Sequence, residues 1–113
     1  MSQRRFDRAM QQLRQSDPQS RENGFDFLRE HADSYIDELI AEFEGERDDH
    51  GLRCLLLELI AEARDEKALS ILSGQLESLD ESLQFWAVRG LEMLDTRDSE
   101  TVLDKARANG WIA

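Results

Sequence analysis

The sequence predicts an all-α protein, a stacked solenoid of three helix pairs preceded by one further helix. Three observations predict it. Pro18 is the only proline and glycine occurs six times, so the turn punctuation of a β chain is missing. Apolar residues recur at helical spacing from Phe6 to Ala106. A pattern with a period of about thirty residues repeats three times, which is the mark of a stacked array.

The first element is a helix over 3–15, with Phe6, Ala9, Met10 and Leu13 on one face. It precedes the repeats and covers their open end. Segments 17–28, 49–60 and 80–91 then align, with Arg21 to Arg53 separated by 32 positions and Arg53 to Gln84 by 31. Their matched columns are Ser20, Leu52, Leu83; Gly24, Leu56, Ala87; Phe25, Leu57, Val88; and Leu28, Ile60, Leu91. This is the inward stripe of an amphipathic helix. Asp17 before Pro18 makes a good start for the first of them.

After each such helix stands an aspartate, Asp33, Asp65 or Asp98, expected to cap a second helix. The second stripes are Ile36, Leu39, Ile40, Phe43; Ala68, Leu69, Leu72, Leu76; and Val102, Leu103, Ala106. The units run 17–48, 49–79 and 80–110, and 1–113 reads as a single domain. A lone helix pair cannot bury its own apolar face, so the units must stack. The middle unit should then be the most apolar, and Leu52 to Ile60 is. Gly45 is expected to stop the second helix of the first unit. Gly110 should end the last one in a left-handed turn, with Trp111 folding back onto it.

The pattern resembles the HEAT repeat, in particular the short bacterial variety named after phycobilin lyases. The resemblance lies in Asp17 with Arg21, Asp49 with Arg53, and Ala87, Val88 and Leu91 of the third unit. Gln84 departs from it where arginine is usual, and Gly24 where alanine is. It implies a right-handed α-solenoid of three HEAT-like helix pairs, covering residues 17 to 109. HEAT-like proteins generally act as adaptors and scaffolds; some assist chromophore attachment, and some small bacterial ones look like immunity proteins that neutralise a toxin.

No catalytic set is apparent. Only two histidines, His31 and His50, and one cysteine, Cys54, are present. His50 and Cys54 stand at i, i+4, a spacing open to a dyad or to two metal ligands. Cys54 among leucines reads instead as a small buried hydrophobe. No phosphate-binding glycine loop and no calcium loop occurs, so no cofactor and no metal are expected. One cysteine gives no internal disulfide, and the N-terminal residues carry no secretory h-region, which suggests a cytoplasmic protein. No apolar run approaches a membrane span. Arg4, Arg5, Arg8 and Arg14 make one helix basic, yet 25 acids against 14 bases leave −11, which argues against a nucleic-acid partner.

Charge is the surface feature that stands out. Between residues 30 and 50 the acids are Glu30, Asp33, Asp37, Glu38, Glu42, Glu44, Glu46, Asp48 and Asp49, against Arg47 alone, which leaves −8. With Ile36, Leu39, Ile40 and Phe43 inward, Asp37, Glu38 and Glu42 point outward, with Tyr35 among them as an aromatic anchor. Glu44, Glu46 and Asp48 extend the cluster, and Glu77 and Asp104 belong to the following second helices. Small residues there, Ser70, Ser73 and Gly74, would leave room for a partner. Such a surface can be merely solubilising, or it can steer a basic partner. The expectation is a non-enzymatic protein-binding module with a basic protein partner, in its sharpest form an immunity-type inhibitor that occludes a toxin or nuclease. The alternatives are a lyase- or chaperone-like accessory subunit for a cofactor-carrying protein, or a general adaptor.

Overall fold

The computed structural model describes residues 2–113, along which seven α-helices follow one another. They are α1 (Ser2–Leu13), α2 (Pro18–Glu30), α3 (Ile36–Gly45), α4 (His50–Ala63), α5 (Leu69–Gly74), α6 (Glu81–Leu94) and α7 (Arg97–Ala108). Short 3₁₀ turns, Ala32–Tyr35 and Glu66–Ala68, lead into α3 and α5. No strand occurs among the described residues. None of these helices is long and apolar enough to cross a membrane.

Three aspartates start three helices in the same way. Asp17 accepts the amide of Ser20 at 3.0 Å, Asp49 that of Leu52 at 3.1 Å and Asp80 that of Leu83 at 2.8 Å. Each thereby satisfies an amide that the first turn leaves without a helical partner. One turn further on, the aligned Arg53 and Gln84 also share a task. Arg53 Nη1 donates to the carbonyls of Phe43 and Glu46, where α3 ends, and its guanidinium lies 4.1 Å above the Phe43 ring. Gln84 Nε2 donates to the carbonyls of Leu76 and Trp111 at 2.8 and 2.7 Å. Replacing the arginine in the third unit therefore keeps a clamp on preceding backbone and adds one on the C-terminal turn.

The second-helix caps differ from expectation at two of three places. Asp65 does cap, accepting the Lys67 amide at 2.9 Å. Asp98 instead lies inside α7, whose cap is Thr96: its hydroxyl accepts the Ser99 amide, and Ser99 Oγ accepts the Thr96 amide in return. The reason is the corner before it, where Asp95 takes a left-handed conformation (φ 52°) and delivers the extended Thr96 to the helix start. In the first unit the chain passes from His31 straight into a 3₁₀ turn, so Asp33 sits in that turn without capping it. It still favours the amide end of the turn electrostatically.

The helices pack in chain order. α1 lies on α2, α2 touches α4, α4 touches α6, and α3 and α5 each lean on the helix that follows. One apolar cluster runs from Phe6 to Ala106. α4 is the centre, with Leu56, Leu57, Leu59 and Ile60 fully buried, whereas α2 buries only Gly24 and Leu28. Two glycines, the departure at Gly24 and Gly90 on α6, stand at close approaches. A Cβ on Gly24 would stand 2.6 Å from the Ala9 carbonyl oxygen and 2.8 Å from the Leu13 nitrogen, so glycine lets α1 settle backbone to backbone on α2. At the C-terminus Gly110 (φ 76°) donates to Arg107 O and Trp111 to Ala106 O, the paired bonds of a Schellman turn. The Trp111 ring stays exposed there, and Ile112 packs on the core instead. Gly45 is the last residue of α3, as its position suggested.

Candidate functional site

The acid-rich side begins at α3, whose apolar residues Ile36, Leu39 and Phe43 are buried while its acids point away. Tyr35 is not among those acids. The 3₁₀ turn swings its ring inward, where it is 4% exposed, 5.2 Å from the Phe6 ring and 6.2 Å from Phe27. A side chain that completes the junction of α1 and α2 offers no surface to a partner, so the expected anchor is a core residue.

The remaining acids divide into those already engaged and those that are open. Arg14 at the end of α1 reaches Glu42 at 2.8 Å and Glu46 at 2.9 Å. Asp37 meets Lys67 at 3.2 Å. Glu46 is the most occupied, since its other oxygen also accepts the Asp49 and Asp48 amides at 3.0 and 3.3 Å. Those amides, the Asp49 amide foremost, together with Arg14, hold its carboxyl below the usual range. Glu46 thus organises the 46–49 loop. Among the described residues Glu38, Glu44 and Asp48 have no ion pair, and Glu44 and Asp48 are exposed. Counting the two cations that reach in from Arg14 and Lys67, the segment 30–50 keeps −6 of its −8.

A cleft of about 420 Å³ opens beside Glu44, lined by Phe43, Arg47 and Arg53 as well as by Ser70, Ile71 and Gly74 of α5. Its small residues are those of α5 that the sequence marked. Glu77 is exposed beyond α5. Asp104 belongs elsewhere: with Glu92, Asp95, Glu100 and Arg107 it borders a separate hollow of about 320 Å³ between α6 and α7. The predicted set is thus one row on α3 and two outlying acids.

An exposed aromatic site went unmarked. Phe85 is 58% exposed and stands edge-on to the half-buried Trp86 at 5.1 Å. With Val88 and Ile112 it edges a hollow of about 570 Å³ at the last helices. Its signal was present in the alignment, where Phe85 occupies the column of Glu22 and Cys54. Trp86 itself packs on the core. Away from the acid row, one trio of metal-ligating side chains comes together among the described residues: His50, Cys54 and Asp80. Against family models, curated proteins and solved structures the chain has no match.

Proposed function

We propose that this chain is a non-catalytic protein-binding module built of HEAT-like helix pairs, and that its α3 acid row and the adjoining cleft take a basic protein. The observation that carries this reading is the open part of that row: among the described residues Glu38, Glu44 and Asp48 have no ion pair, and Glu44 lines a cleft whose far wall includes Ser70 and Gly74. Carboxylates so placed attract lysine and arginine from a distance and accept them at contact. The sharpest form is occlusion, in which the acids cover the cations that a toxin or nuclease uses on its own substrate. The stacking of units is supported by the common capping at Asp17, Asp49 and Asp80 and by the carbonyl clamps at Arg53 and Gln84.

Affinity capture from the source cell tests the reading when paired with two variants. The expected partner is basic, dissociates steeply with salt, and is lost by the triple charge reversal Glu38→Lys, Glu44→Lys, Asp48→Lys. Retention by that variant at low salt together with loss by Phe85→Ala would move binding to the aromatic site and end the occlusion model.

A further inference from the structure

His50 and Cys54 lie one turn apart on α4, and Asp80, the capping residue of α6, reaches across to them. The three ligand atoms lie within 4.8 Å of one another. His50 Nε2 contacts Asp80 Oδ2 directly and stands 3.8 Å from Cys54 Sγ. Thiol and carboxylate therefore address the same ring nitrogen. A nucleophilic relay needs them on opposite nitrogens, one to receive the thiol proton and the other to orient the ring. Three donors converging from two helices are the arrangement of ligands around a shared ion.

We propose that His50, Cys54 and Asp80 bind a divalent cation of zinc type, with one coordination position left to water. The donor set selects the metal. Sulfur disfavours magnesium and calcium, whereas a mixed nitrogen, sulfur and oxygen set suits zinc. A thiolate and a carboxylate together balance its two positive charges. Asp80 is oriented for the task, because its Oδ1 accepts the Leu83 amide at 2.8 Å and its own amide donates to Ser78 Oγ at 3.1 Å. His50 is exposed and Cys54 and Asp80 half-buried, so an ion can enter from solvent. The bound ion would join the first helices of consecutive units.

Chelator-stripped protein in a phosphine reductant, titrated with Zn²⁺ alone and separately with Co²⁺, tests the site. One equivalent should bind, the cobalt form should show a thiolate charge-transfer band with tetrahedral d–d absorption, and the melting midpoint should rise with metal concentration. Cys54→Ala and Asp80→Asn should each weaken zinc by roughly 100-fold or more, at least the loss seen for outer-sphere partners. Asparagine still caps α6, so Asp80→Asn keeps the fold, and circular dichroism checks both variants. Sub-stoichiometric binding, a cobalt spectrum without the thiolate band, or equal affinity in Cys54→Ala would overturn the proposal. The cobalt spectrum reads sulfur ligation in the unaltered chain, independently of any variant.

Discussion

Gly24 fixes how near two helices can come. An alanine there gains helix propensity of about 1 kcal/mol but drives its methyl into the Ala9 and Leu13 backbone, which cannot rotate away. Overpacking of this kind costs about 1–3 kcal/mol, so Gly24→Ala should lower the urea midpoint. At Gly74, where nothing lies within 4 Å, the same change should raise the midpoint, with a stability gain of about 0.4–1 kcal/mol. Charge at single positions has equally local consequences. Burial, with the neighbouring Glu62 charge, pushes the Glu58 carboxyl up, against an opposing Arg29. Its folded pKa then exceeds the unfolded one, so the ionised form lowers stability at neutral pH. That cost fades as pH falls through the folded value and is gone below the unfolded one. Glu58→Gln should therefore raise the melting midpoint at neutral pH, with the gain vanishing in acid. Glu46 has the opposite sign: its contribution is present above the unfolded value, about 4.3, and is lost as pH falls through its lowered folded value.

Among the elements, the clamps on chain ends matter as much as the helices. Arg53→Met keeps most of the stem volume but leaves the Phe43 and Glu46 carbonyls without their donor. Loss of charged hydrogen bonds of this kind costs about 1.5–3 kcal/mol, measurable by chemical denaturation. Gln84→Met should cost less, about 1 kcal/mol, and should change the fluorescence of Trp111, whose carbonyl it releases. These elements were largely legible in the sequence because each is declared locally: Asp17, Asp49 and Asp80 lie three residues before the amides they cap, and Leu52, Leu56 and Ile60 lie on one helical face. What was not legible depends on corners and on distance. The left-handed Asp95 moved the α7 cap from Asp98 to Thr96, and the turn at Ala32–Tyr35 rotated Tyr35 inward. The acid row looked wholly open because its cations, Arg14 and Lys67, come from 28 to 32 residues away. No periodicity reports such a pairing.

For the molecule as a whole, −11 is carried on a body of 42 × 27 × 20 Å. At 0.01 M salt the screening length of about 30 Å exceeds its two shorter dimensions, whereas at 0.15 M about 8 Å confines each charge to its neighbours. Added salt should thus relieve the long-range repulsion while contacts near 3 Å persist, and the melting midpoint should rise across that range. A fall would mean that surface ion pairs, worth up to about 1 kcal/mol each, outweigh the net charge. The order of packing has a kinetic side as well. Because α1 to α7 rest on near neighbours in the chain, each contact closes only a short loop, which favours rapid folding. The same order leaves the terminal helices with fewer neighbours than the centre, whereas releasing α4 removes the helix on which α2, α3 and α6 all rest. Its amides should be the slowest to exchange with deuterium, and a protease should shorten this chain from its ends long before cutting through its middle.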